Sequence, residues 1–223
     1  MNRITNSFIL VLFFPVMALS IFISFDLPLG VFRTTGSQLP YRYEILLGFT
    51  LLIAILFANR SIKRWMGLVT VAQKSRFVFS APISLERRKT VLAYGVLESL
   101  IYTLIGIGLM ILTKESFPAA LIFLFFGMEG LVFTVFGAKK FALGLSSKAI
   151  IVADREITVI YYTGLRKVSI SQQTLYFDYL ESLQLSFPID AIPPEQRKSF
   201  LINLESVVDP TKVLIHNLGS WKK

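Results

Sequence analysis

The chain has 223 residues, of which 54% are hydrophobic, with a formal net charge of +9 and no cysteine. A hydrophobic share this high, together with a mean hydropathy of +0.64, sets the chain apart from ordinary soluble domains and predicts a membrane protein. The absence of cysteine excludes disulfides, thiolate metal sites and cysteine nucleophiles.

Four apolar runs are long enough for helices that cross a bilayer, because a hydrocarbon core of about 30 Å needs about 20 residues. The first run could instead be a signal peptide with a cleavage site at Ala18-Leu19-Ser20. However, the apolar sequence continues past that site, which favours an uncleaved helix. The sequence therefore predicts a four-helix transmembrane domain at residues 1–145. The predicted spans are Phe8 to Phe25, Tyr43 to Ala58, Thr90 to Thr113 and Phe117 to Ala138.

The loops predict the orientation of these helices. Basic side chains concentrate at residues 59–89 and follow the fourth run at Lys139 and Lys140, whereas the loop at Lys114-Glu115-Ser116 has no excess of positive charge. Because loops rich in Lys and Arg stay on the cytoplasmic side, we expect both termini in the cytoplasm. Since most of the positive charge belongs to the membrane half, it does not indicate a nucleic-acid interface.

The basic loop at residues 59–89 also has apolar side chains at helical spacing, which is typical of an amphipathic helix lying in the membrane surface. One interpretation is a connector that stabilises the bundle, and the other is a patch that binds anionic lipid headgroups or a partner. Its apolar face is Ile62, Trp65, Met66, Val69 and Ala72. The side chains expected at the membrane surface are Arg60, Lys63, Arg64, Trp65, Lys74 and Arg76.

Residues 146–223 differ in character from the membrane half. Five short runs rich in β-branched and aromatic residues alternate with turn residues and predict antiparallel strands. A helix is predicted from Pro194 to Val208, because Glu195 lies in its first turn and Asp209-Pro210 ends it. The expected structure is a cytoplasmic α+β domain in which a strand meander is followed by one helix.

The segment SFPIDAIPPEQRKSFLINL at residues 186–204 resembles the start of the last helix in bacterial membrane proteins that have a PH-like domain. The resemblance implies a binding or assembly module at the bacterial cytoplasmic (inner) membrane and brings no catalytic residues. A PH-like domain usually has seven strands. Either this domain is abbreviated, or two strands lie elsewhere, one of them at Arg76 to Phe79.

Two acidic residues, Glu98 and Glu129, lie within the third and fourth runs. At a rise of 1.5 Å per residue, both are roughly 15 Å from the cytoplasmic boundary, near the middle of the membrane. The three-residue connection between the runs lets the two carboxyls face each other, with Tyr94 and Tyr102 one helical turn to either side of Glu98.

An ionised carboxylate costs about 2.5 to 3.5 kcal/mol at that depth, and the predicted spans contain no Lys, Arg or His to neutralise it. We therefore expect at least one of the two acids to be protonated. Three roles are open for this polar pair: hydrogen bonds that fix helix packing, a proton or cation site, and contact with a partner membrane protein.

Motifs for catalysis are absent from the sequence, which has no phosphate-binding loop, serine elbow or HExxH, and a lone His216 without companions for a metal site. We expect neither an enzyme nor a bound cofactor. The leading function is a membrane scaffold or accessory subunit that organises an unknown protein partner, as a monomer or a homo-oligomer. The alternative is a proton- or cation-coupled transporter component that uses Glu98 and Glu129.

Overall fold

The computed structural model describes residues 2–30, 34–180, 183–209, 211–216 and Trp221. The chain forms two compact units. The helical unit consists of Met1–Ile62 and Tyr94–Phe133, and the strand-rich unit consists of Lys63–Ala93 and Thr134–Lys223.

Four long helices confirm the four apolar runs of the sequence. By length and composition all four are able to cross a membrane. A short antiparallel pair, β1 (Pro28–Leu29) with β2 (Thr34–Thr35), lies between the first two helices along the chain. The helices are α1 (Asn2–Ser24), α2 (Arg42–Ala72), α3 (Leu85–Leu112) and α4 (Phe117–Gly137).

Helix α2 is longer than the sequence predicts. Its span was expected to end at Ala58, with a separate surface helix beyond, but the helix continues without a break to Ala72. The polar sequence Asn59-Arg60-Ser61 resembles the end of a span, yet it contains neither proline nor glycine and so does not interrupt the helix.

The helical unit is apolar inside and outside. Its interior includes an aromatic cluster in which Phe57 stacks on Phe126, with ring centroids 4.9 Å apart, and meets Tyr102 and Phe123 edge-on. On its outer surface Phe14 is 75% exposed, in company with other large apolar side chains of all four helices. Helices that are apolar all round are typical of a membrane environment.

Helices α3 and α4 approach closely at Gly127. A Cβ atom at this position would lie 2.6 Å from Thr103 Oγ1 and 3.0 Å from the backbone nitrogen of Thr103. Close approach of two helices at small residues is how packing contacts form between helices in a membrane.

Replacing Gly127 by alanine is expected to destabilise the helical unit by about 1–3 kcal/mol, because the new methyl group overlaps the α3 backbone. The matched control is Gly108→Ala in α3, where a Cβ would meet nothing within 4 Å. Unfolding of the purified protein in mixed detergent micelles measures both. A Gly127→Ala protein as stable as Gly108→Ala would contradict the close packing.

The strand-rich unit contains two four-stranded sheets, helix α5 (Arg197–Val207), the end of α2 and the start of α3. All pairings are antiparallel except that of β10, which is parallel to β7. The first sheet has the order β3 (Phe79–Pro82), β4 (Ala142–Leu145), β5 (Ala149–Ala153) and β6 (Ile157–Tyr161). The second has the order β10 (Leu214–His216), β7 (Leu165–Ser171), β8 (Thr174–Tyr179) and β9 (Gln184–Pro188).

Strands β5 to β9 and helix α5 confirm the strand-and-helix region expected from the sequence. Strand β3 is the additional strand sought in the long loop, although it begins at Phe79 rather than at Arg76. Its partner β4 comes after α4, so the first sheet joins chain segments from both sides of the α3–α4 hairpin.

One hydrophobic core serves both sheets and α5. It includes Leu145 and Ile150 of the first sheet, Phe177 of the second, and Phe200 and Leu204 of α5, all fully buried. Along β8, buried Leu175 and Phe177 alternate with half-buried neighbours, as the period of two of a strand predicts, whereas four of the five residues of β5 are buried.

Within the strand-rich unit, an ion pair links the first turn of α3 to the residue that follows β5. Arg87 donates through Nε and Nη2 to Asp154 Oδ2 at 2.9 and 2.7 Å. Asp154 follows β5 and is 7% exposed, so this contact is shielded from water.

Candidate functional site

The first polar cluster of the helical unit is centred on Glu98 of α3. Arg60 of α2 donates from Nη1 to Glu98 Oε1 in a buried ion pair, with the Arg60 side chain 4% and the Glu98 side chain 19% exposed. Tyr102, one turn along α3, donates its hydroxyl to the same oxygen at 3.0 Å and lies 3.4 Å from Arg60 Nη1. A cation and a hydroxyl therefore both hold the Glu98 carboxylate.

The second polar cluster involves the very next residue of α2. Ser61 Oγ donates to Glu129 Oε1 of α4 at 2.7 Å. Arg60 and Ser61 thus connect one helix to acidic residues on two others. The side chains of consecutive helix residues point in directions about 100° apart. Neighbouring side chains of α2 can therefore contact α3 and α4 at the same height along the helix.

The Arg60–Glu98 pair corrects the expectation that nothing neutralises the acids. The sequence interpretation ended the second span at Ala58 and assigned Arg60 to the surface, whereas the helix carries Arg60 into the polar cluster. Protonation of at least one of the two acids was expected because no cation was found to neutralise them, and for Glu98 the guanidinium of Arg60 supplies that cation.

The residues predicted for the membrane surface divide into two groups. Lys63, Lys74 and Arg76 are exposed, as a surface role requires. Arg60 and Arg64 are instead buried, at 5% and 7% exposure, so these two were assigned wrongly to the surface.

The apolar face expected for this stretch of α2 points outward. Ile62, Met66 and Val69 are more than half exposed and Trp65 is 37% exposed, while Leu68 and Val71 on the other side are buried. The face predicted from the spacing is thus the more exposed face of this stretch of α2.

Of the two tyrosines predicted near Glu98, Tyr102 bonds to that carboxylate. Tyr94 lies one turn earlier on α3 and is 56% exposed. Sequence reasoning missed Ser61, because a single serine between Arg60 and Ile62 carries no pattern that indicates its partner.

In the strand-rich unit, burial raises the pKa of the Tyr162 phenol well above its ordinary value, and the nearby Tyr179 adds to this effect. The Tyr162 hydroxyl has no hydrogen-bond partner among the described residues. A phenol in this state remains neutral and is unsuited to act as a base.

The described residues hold no group of three or more His, Cys, Asp or Glu side chains placed to bind a metal ion. His216 lies on β10 and is exposed. The described polar contacts of the helical unit include hydrogen bonds and two ion pairs, Arg60–Glu98 and Arg42–Glu115.

No protein-family model matches the chain, and neither a curated protein nor a solved structure does.

Proposed function

We propose that the protein is a non-enzymatic membrane scaffold or accessory subunit. The observation that carries this proposal is the pair of contacts made by Arg60 and Ser61, which attach α2 to Glu98 of α3 and Glu129 of α4. Acidic residues engaged in this way fix the packing of helices, which is the role that a scaffold needs from them.

The bilayer is the proposed environment of the helical unit. Four helices of sufficient length and the apolar side chains on their outer surface support it. With the basic loop facing inward, the protein is placed in the bacterial inner membrane, with both termini in the cytoplasm.

A PH-like fold is the proposed identity of the strand-rich unit. Seven consecutive strands, β3 to β9, form antiparallel arrays of four and three and are followed by α5, which supports this assignment. In this arrangement the α3–α4 hairpin is an insertion between the first and second strands. The unit would bind or organise partners at the cytoplasmic surface, and it requires no cofactor.

The scaffold role is tested by crosslinking in intact cells, purification in mild detergent and mass spectrometry. We expect specific partner proteins to be enriched over an unrelated multi-pass protein of equal abundance. The same partners should be lost with Phe200→Ala, which removes a core side chain of the strand-rich unit. Recovery of the protein without partners would contradict the proposal. It would also be contradicted if the same partners are recovered with a Phe200→Ala protein whose strand-rich unit is shown to be unfolded.

The competing function, a proton- or cation-coupled transporter component, requires one of the two acids to exchange a cation. The purified protein in liposomes should give no proton or sodium flux above protein-free liposomes. A flux that disappears with Glu129→Gln, which keeps hydrogen bonding but cannot ionise, would replace the scaffold assignment by the transporter.

A further inference from the structure

A pocket of about 480 Å³ lies in the strand-rich unit, where distant parts of the chain converge. Its volume falls within the range of ligand-binding pockets. Its polar wall is formed by the first turn of α3, the β7–β8 turn, the segment after β9 and the first residue of α5. Its apolar wall includes β7 and Trp221. The residues that matter here are Glu86, Ile170, Gln173, Asp190, Arg197 and Trp221.

Charged groups in this pocket are incompletely satisfied. Among the described residues, the carboxylates of Glu86 and Asp190 form no ion pair, and Asp190 Oδ1 and Arg197 Nε are buried without hydrogen-bond partners. Glu86 is exposed and can be hydrated, whereas a buried polar atom without a partner, such as Asp190 Oδ1, is destabilising. The adjacent Arg87, by contrast, is fully engaged with Asp154.

Arg197 already has one favourable contact inside the pocket. Its guanidinium carbon lies 5.6 Å from the centroid of the Trp221 ring, a cation–π geometry. Trp221 is held in turn against Phe200, with ring centroids 6.2 Å apart. The pocket therefore has an aromatic wall, and its buried unsatisfied acceptor is Asp190 Oδ1, whereas Glu86 is exposed.

A ligand that satisfies Glu86, Asp190 and Arg197 carries a positive charge, hydrogen-bond donors and an acceptor. Two carboxylates face one guanidinium, so the formal charge is negative and a phosphate or anionic headgroup is disfavoured. A basic side chain can donate to Asp190, whose carboxylate turns easily about its terminal torsion, and can lay its aliphatic stem along Ile170 and Trp221. A neighbouring peptide carbonyl can accept from a terminal nitrogen of the Arg197 guanidinium.

We propose that this pocket is where the strand-rich unit docks a partner polypeptide through a segment that contains a lysine or an arginine. The proposal rests on the scaffold function and names the chemistry of the partner. Glu86 and Asp190 bind the cation, Trp221 contacts its stem, and Gln173 and Arg197 bond to the peptide backbone.

The test uses the full chain in nanodiscs of phosphatidylcholine and a phage library of random heptapeptides. Peptides selected on this protein, after removal of those that bind the Glu86→Gln/Asp190→Asn protein, should be enriched in Lys and Arg. A Trp65→Phe background leaves Trp221 as the one tryptophan, so its fluorescence should shift saturably with a selected peptide.

The single substitution Asp190→Asn should weaken that peptide at least about tenfold, equivalent to ~1.4 kcal/mol. Glu195→Gln, which removes an exposed acid outside the pocket, should leave the affinity unchanged. Thermal unfolding of each variant establishes that the fold is retained.

Several results would overturn the docking site. The proposed site is wrong if no peptides are enriched relative to the Glu86→Gln/Asp190→Asn protein. It is also wrong if the enriched peptides contain no excess of Lys or Arg. A shift of Trp221 fluorescence by phosphatidylglycerol vesicles, strengthened by Asp190→Asn, would make the pocket a lipid site instead. If partners are still recovered by crosslinking in any of these cases, the scaffold function stands and only the location of its docking site is wrong.

Discussion

Replacing Arg60 by methionine is expected to destabilise the protein by about 3–5 kcal/mol, the cost typical of removing one member of a buried ion pair. The substitution keeps an aliphatic stem but takes the counter-charge away from Glu98, which is mostly buried. Tyr102 would still donate to the carboxylate, yet a neutral hydroxyl does not replace a guanidinium. Equilibrium unfolding of the purified protein in mixed detergent micelles measures the loss.

A double variant separates the ion pair from a general packing defect. Arg60→Met combined with Glu98→Gln removes both charges and leaves an amide to accept from Tyr102, so most of the stability should return. Arg76→Met, at an exposed arginine, should change stability by less than about 0.5 kcal/mol. A double variant as unstable as Arg60→Met alone would show that the charge on Glu98 is not the cause.

Replacing Phe200 by alanine should destabilise the strand-rich unit by about 3–5 kcal/mol, because a fully buried aromatic ring leaves a cavity that the surrounding sheets cannot fill. Phe200 lies between Phe79 of β3, at 5.9 Å between ring centroids, and Trp221, at 6.2 Å. The substitution therefore loosens the contact of α5 with both segments.

Urea unfolding followed by the fluorescence of Trp221 in the Trp65→Phe background measures this effect. The control is Ile202→Ala on the same helix, because Ile202 is 57% exposed and its loss should change stability little. Equal destabilisation by the two substitutions would mean that α5 does not bury the face described above.

The parts of the fold that sequence could predict are those with a local signal. Long apolar runs predict the four helices, and short runs of β-branched and aromatic residues between turn residues predict β5 to β9. Strands β3, β4 and β10 have three or four residues each, too few for a period of two to be distinguished from chance.

The polar clusters depend on partners that are distant in sequence. Glu98 was identified from its apolar surroundings, but its neutralisation by Arg60 depends on how α2 and α3 pack, and a rule based on hydropathy assigns Arg60 to the surface. The pocket combines Glu86 with residues more than eighty positions later, so no motif could indicate it.

The pairing of β3 with β4 has a consequence for biosynthesis. Pro82 pairs with Ala142, and the whole α3–α4 hairpin lies between these two residues in the chain. The first sheet therefore cannot be completed until the ribosome has released both helices, and its long-range closure is slow compared with a local hairpin. Until then one edge of β4 is unpaired. The nascent protein can form wrong strand pairings at this edge until the hairpin has brought β3 and β4 together.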